Sequence, residues 1–195
     1  MNQQNEYKPS EGEIYLEDFF FMLDIKYESQ KKIFGLRNDS KQFRIADFYL
    51  PKYQVYVEFF GLWNNSGNEE YSHKKDVYKQ NKIPCVYIYP ENLGIIEFTF
   101  DRRLQMVLEK HKLEKELRSY RLYKFKKAPE LKNRIGYTGI AFFILLYTVF
   151  SKNLVLKEYL LIGATAFIIL YQVFQLIQLY LDIFKRNKFS LGNLF

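Results

Sequence analysis

Asp47 and Glu58 are the two residues of this chain whose types and spacing could do chemistry together. Each lies in an aromatic-rich, β-branched run, Phe43-Arg44-Ile45-Ala46-Asp47-Phe48-Tyr49-Leu50 and Gln54-Val55-Tyr56-Val57-Glu58-Phe59-Phe60, and Pro51-Lys52-Tyr53 between them reads as a hairpin turn. Centred between Lys52 and Tyr53, the hairpin sets Leu50 against Val55, Phe48 against Val57 and Asp47 against Glu58. Like charges facing each other across a strand pair, with Cβ atoms about 4.5–5.5 Å apart, destabilise the pair. Two arrangements relieve this: a solvated strand edge, or a divalent cation held between the acids. Hard cations such as Mg²⁺ take oxygen ligands and commonly use one or two carboxylates. The residues alone leave both open.

The surrounding elements must position these acids. Ser10-Glu11-Gly12-Glu13 precedes Ile14, Leu16, Phe19, Phe20 and Leu23, whose three-and-four spacing predicts a helix ending near Asp24. Ser10 and Glu13 also have the spacing of a capping box, so Glu13 has a purely local role open to it. Asn64-Asn65-Ser66-Gly67-Asn68 predicts a loop, residues 69–80 a polar helix and 84–89 a strand closed by Pro90. Strand, helix and strand in that order predict a parallel pairing through a right-handed crossover. A charged helix is expected over residues 101–121. Lys74, Lys75 and Lys79 share their helix with Glu69, Glu70 and Asp76, a mixture that also suits a solvated face. His73 could meet a phosphate or simply face water, and Trp63 could close the sheet end or stack on a base. Cys85, the one cysteine, excludes an intramolecular disulfide and reads as a small core residue. His111, in the charged helix, has no partner in the pattern and is given no role.

The stretch Arg44-Ile45-Ala46-Asp47-Phe48-Tyr49-Leu50-Pro51, followed by Val55-Tyr56-Val57-Glu58-Phe59-Phe60-Gly61, resembles the core of the PD-(D/E)XK nuclease superfamily, especially its very-short-patch-repair-like branch. The similarity extends over residues 13–108, through Tyr71, Lys75, Tyr78 and Lys79 to Tyr87-Ile88-Tyr89-Pro90. The resemblance implies an α/β fold, a restriction-endonuclease-like mixed sheet flanked by helices. It implies that Asp47 and Glu58 are metal ligands for Mg²⁺ or Mn²⁺, with Glu13 an additional acid of the site. It also implies hydrolysis of phosphodiester bonds in nucleic acid, DNA ahead of RNA. The chain departs from the family two residues after Glu58, where Phe60 replaces the expected lysine. In some members a lysine from the following helix supplies that charge, and Lys75 is the leading candidate by position, with Lys74 and Lys79 next. The same departure leaves room for an inactive relative that keeps the fold and binds nucleic acid or a protein partner.

Beyond this domain the composition changes. Residues 135–150 and 159–181 carry no charge, and a bilayer core needs about 20 apolar residues in a helix, with about 17 as the short limit. They predict two transmembrane helices forming a hairpin, so the lipid bilayer is an expected partner. The mean hydropathy of −0.28 averages this tail with a lysine-rich front and describes neither. Arg118, Arg121, Lys124, Lys126, Lys127, Lys132 and Arg134 precede the first span, Lys185, Arg186 and Lys188 follow the second, and the connection holds only Lys152 and Lys157 beside Glu158. This bias predicts both termini and the nuclease-like domain on the cytoplasmic side. The first 13 residues contain no apolar run of the signal-peptide kind. The net charge of +7 favours polyanions or anionic lipid. The expected organisation is a nuclease-like domain over 1–122, a basic juxtamembrane linker over 123–134, the two transmembrane helices over 135–184 and a basic tail over 185–195. A second copy of the chain or another membrane protein remains open as a partner. A nuclease held at the membrane would suit defence against foreign DNA.

Overall fold

The computed structural model describes residues 8–61, 68–150 and 156–185. The chain forms two compact units, Met1–Arg118 and Ser119–Phe195. The first contains helix α1 (Glu11–Met22), strands β1 (Glu28–Phe34), β2 (Phe43–Leu50) and β3 (Val55–Phe59), helix α2 (Asn68–Gln80), strand β4 (Cys85–Ile88), a 3-10 turn over Pro90–Ile95 and helix α3 (Ile96–Lys110). Helix α4 (Glu114–Lys127) begins in the first unit and ends in the second, which also holds α5 (Pro129–Phe150) and α6 (Leu156–Lys185). The architecture is mixed α/β, with a four-stranded sheet in the order β1-β2-β3-β4. β1 and β2 are antiparallel, β2 and β3 antiparallel, and β3 and β4 parallel, as the strand-helix-strand order requires.

The β2–β3 register pairs Phe48 with Val57, Tyr49 with Tyr56 and Leu50 with Val55, matching the arithmetic from the sequence. The turn that sets it holds four residues, Pro51 to Gln54. Tyr53 N–H bonds the Leu50 carbonyl at 3.1 Å, and Gln54 takes a φ of 55°. Phe48 faces α1 and α3: its ring lies 5.4 Å from Phe20, which lies 5.4 Å from Phe100. The other face receives α2, whose Tyr78 packs in a cluster with Ile33, Ala46 and Cys85. Cys85 is therefore the small core residue its surroundings suggested.

Helix α1 starts with the capping box expected of Ser10 and Glu13: Glu13 Oε2 accepts from Ser10 N–H at 2.6 Å, and Glu13 N–H donates to Ser10 Oγ at 3.3 Å. Its buried residues Gly12, Leu16, Phe19 and Phe20 form the inward stripe. Gly12 is required by close approach, because a Cβ there would stand 2.0 Å from Phe59 Cε1.

Two features of the first unit differ from expectation. Strand β1 was not foreseen because its residues, Glu28-Ser29-Gln30-Lys31-Lys32-Ile33-Phe34, show no clean alternation; it is an edge strand, and lysines on an edge discourage pairing with another chain. The single helix expected over 101–121 is two helices, breaking at His111, Lys112 and Leu113. There Lys112 takes a φ of 57° and Leu113 N–H bonds back to the Leu108 carbonyl at 2.9 Å. The same closure ends α1 at Asp24, with Ile25 N–H on Phe20 O, and α2 at Lys82, with Ile83 N–H on Tyr78 O, each at 2.9 Å. Each is the left-handed cap with a following apolar residue that glycine usually provides. Built on Asp and Lys, it leaves no glycine signal in the sequence.

In the second unit α5 and a stretch of α6, Tyr159–Phe184, are long and apolar enough to cross a membrane, with mean hydropathies of 1.3 and 2.1. The two helices pack together through small residues: Ala141, Thr148 and Thr165 are buried, and the threonine hydroxyls donate to Ile144 O and Leu161 O in their own helices at 2.6 and 2.9 Å. Small residues allow close helix approach, and back-bonding removes the cost of a free hydroxyl in an apolar seam. Residues 123–134, expected as a linker, are helical on both sides of Ala128. Trp63, most of the loop after it, Lys152, Arg186 and Lys188 lie outside the described residues, as do the side chains of Lys157, Glu158 and Lys185.

The Gly12 contact yields a test. Gly12→Ala must push the Phe59 ring or the start of α1 aside, and overpacking of this kind costs about 1–3 kcal/mol. The variant is expected to unfold at a lower temperature than the parent, although alanine is the better helix former. An unchanged or raised unfolding temperature would show that the ring yields freely.

Candidate active site, a buried acid pair held by a helix

The backbone pairing of β2 with β3 stops at Phe48 and Val57, and one step beyond stand Asp47 and Glu58. Asp47 Oδ2 accepts the Phe59 N–H at 2.7 Å, so a side chain satisfies a backbone donor where the strand pairing ends. Glu58 is 1% exposed. An isolated carboxylate at that depth would be prohibitive, yet both oxygens are occupied: Oε1 accepts from Tyr78 Oη–H at 2.8 Å and Oε2 from Lys74 Nζ at 2.6 Å. Lys74 Nζ also donates to the Ile45 carbonyl at 2.8 Å. Lys74 and Tyr78 are four residues apart on α2 and so face the same way, which lets one helix face supply both donors.

Electrostatics follow from this burial. Desolvation, and then the charge of Glu58, push Asp47 from the ordinary 3.8 up to about 8, against the pull of Lys74 and the Phe59 N–H. The charge of Glu13 raises it further, so the first turn of α1 lies within electrostatic reach of the pair. Glu58 is also raised by burial, opposed by the charge and hydrogen bond of Lys74 and by hydrogen bonds from Tyr78 and Asp47. The acids titrate as one coupled unit, both raised by burial and both pulled back by the charge of Lys74. Burial, with the Glu58 charge behind it, raises the Cys85 thiol well above its usual range, which leaves it a poor nucleophile.

The sequence-predicted residues fall as follows. Asp47 and Glu58 come together within hydrogen-bond reach, Glu58 turned to α2, and Glu13 stands near while also capping α1. Lys75 does not meet the acids: its Nζ lies 5.4 Å above the Tyr87 ring, and the amine at Glu58 belongs to Lys74. Lys79 and His73 are exposed. Phe60 is fully buried, stacked on Tyr71 at 4.4 Å and packed against Tyr87 and Tyr89, so its side chain contributes to the core. His111 closes α3 and takes no part. Among the described residues, no three His, Cys, Asp or Glu side chains gather as a metal-binding cluster.

Sequence reasoning missed a second buried pair. Arg44 grips Asp39 with two parallel bonds, Nε to Oδ2 at 2.6 Å and Nη2 to Oδ1 at 2.7 Å, and holds its carboxyl below the usual range. Nearby, Lys41 pairs with Glu70 of α2 at 2.6 Å. Asp39 sits in an irregular stretch between β1 and β2, where no periodicity could have marked it as buried.

The raised Asp47 predicts a pH effect. Folding takes up a proton between pH 3.8 and about 8. The stability of the neutral-Asp47 state is therefore fully present below that window and declines as pH rises through it, by at most about 1.4 kcal/mol per pH unit. Asp47→Asn retains an acceptor for Phe59 N–H and removes the titration. Its unfolding temperature in detergent is expected to overtake that of the parent between pH 5 and pH 9. Parallel pH profiles for the two proteins would contradict the assignment.

No family model, no curated protein and no solved structure matches the chain, so the reading of this site rests on its own geometry.

Proposed function

We propose that the chain is a membrane-associated, metal-dependent nuclease of the PD-(D/E)XK type, with Asp47 and Glu58 as the acids that hold Mg²⁺ or Mn²⁺. One observation carries this reading: a buried and a half-buried carboxyl stand side by side on adjoining strands, the half-buried one raised to about 8, with a lysine amine 2.6 Å from the buried one. The donor set fits a hard cation, since both groups offer oxygen and a divalent charge would offset the burial and the Glu58 charge that raise Asp47. When bound, such an ion polarises a phosphoryl oxygen and lowers the pKa of water.

The protein's own part divides among named residues. Asp47 and Glu58 would hold the ion through their carboxylate oxygens, which requires Asp47 in its deprotonated form. Lys74, anchored on Ile45 O, replaces the lysine missing at Phe60 and offers a fixed positive charge to the transition state. Glu13 adds a third negative group at the mouth of the site. Nucleic acid is the substrate class, with DNA ahead of RNA, and the apolar helices α5 and α6 hold the domain at a bilayer.

A second reading is favoured by one specific observation. Lys74 and Tyr78 already satisfy both oxygens of Glu58, and Phe60 is committed to the core, so the acids suit a structural ion pair in an inactive relative that binds nucleic acid or a protein partner.

Cleavage separates the two. The detergent-solubilised chain is expected to cut DNA with Mg²⁺ or Mn²⁺, Asp47→Ala to abolish cutting, and Lys74→Ala to slow it about 10²–10³-fold. Lys75→Ala should leave the rate nearly unchanged. Absence of metal-dependent cleavage of both DNA and RNA by the folded parent would establish the second reading.

A further inference from the structure

Helix α6 carries three carboxamides, Gln172, Gln175 and Gln178, inside its apolar stretch Tyr159–Phe184. Gln172 turns toward the seam with α5, where its Oε1 is buried without a hydrogen-bond partner among the described residues. Gln175 is half-buried and Gln178 is exposed, and neither has a partner among the described residues. Gln178 continues an outward stripe with Phe174 and Tyr171, which are 55% and 52% exposed.

Depth makes these amides expensive. At about 1.5 Å per residue the 26-residue stretch is about 39 Å long, against a hydrocarbon core of about 30 Å. Centred in a bilayer, it places Gln175 about 10 Å and Gln178 about 5 Å inside the hydrocarbon. Lipid tails offer no hydrogen bonds, so polar side chains at such depth find partners on another helix. Asp182, next along the stripe, falls at the headgroup level, where water can solvate it.

We propose that a second copy of this chain packs against the outward stripe of α6, with Gln175 and Gln178 bonding to their counterparts across a two-fold axis. A carboxamide both donates and accepts, so it is complementary to itself, and a symmetric pairing satisfies both groups without a foreign partner. The inference rests on the membrane reading of α5 and α6.

The test uses the full chain in the membranes of expressing cells. Phe174→Cys reports on the stripe and Phe143→Cys on the exposed side of α5; Cys85, buried in the first unit, is a silent background. After mild oxidation and carbonate washing, Phe174→Cys is expected to run as a dimer under non-reducing conditions and Phe143→Cys as a monomer. Adding Gln175→Leu and Gln178→Leu, which suit lipid better and leave the fold intact, should lower the dimer yield about tenfold. A dimer insensitive to the leucines, an absent dimer, or a cross-link to a protein of different mass would each overturn the proposal. A chain released by carbonate would instead overturn the membrane reading beneath it, a result read directly from the fractions.

Discussion

The Glu58 carboxyl is buried deep in the first unit, 1% exposed, and Lys74 and Tyr78 of α2 satisfy it there. Removing one partner from a buried ion pair costs about 3–5 kcal/mol, a large part of the stability of a domain this size. α2 must therefore dock so that Lys74 and Tyr78 reach Glu58 together, which fixes both the rotation of the helix and its height above β3. Once α2 is seated, Tyr71 stacks on Phe60, two residues beyond the acid, and Tyr78 packs with Ala46 and Cys85.

The same constraint reaches the opposite face through Asp47. The strand pairing ends where the acids begin, and the Asp47 carboxyl takes over the Phe59 N–H. The Phe59 ring in turn presses against Gly12 in the first turn of α1, which brings Glu13 within electrostatic reach of Asp47. One backbone donor, one ring and one glycine thus link α1 to the acid pair. Among the described residues, Lys74 brings a positive charge to Glu58, from a helix that is otherwise solvated on its outer side.

What the sequence disclosed follows physical lines. The β2–β3 register was legible because one turn at Pro51 joins two runs of matched polarity, and a slip of one residue would have turned Glu58 and Val57 to the wrong faces. The apolar helices were legible from length alone. β1 was hidden because an edge strand need not alternate, and the break between α3 and α4 because Lys112 does the work of a glycine. The amine at Glu58 is that of Lys74, where position in the sequence had favoured Lys75: neighbours on a helix point about 100° apart, so one residue separates an amine at Glu58 from one over the Tyr87 ring. Tyr78 four residues on was the available signal, since a helix face carrying a lysine and a tyrosine at that spacing can satisfy both oxygens of one buried acid.

The central claim is that this acid pair is a cation site and more than a structural ion pair. Mn²⁺ binding followed by electron paramagnetic resonance on the purified full chain addresses it most directly, because it needs no substrate. The account predicts one bound Mn²⁺ per chain, lost in Asp47→Asn with the fold retained. No uptake by the parent, or equal uptake by parent and variant, would contradict it.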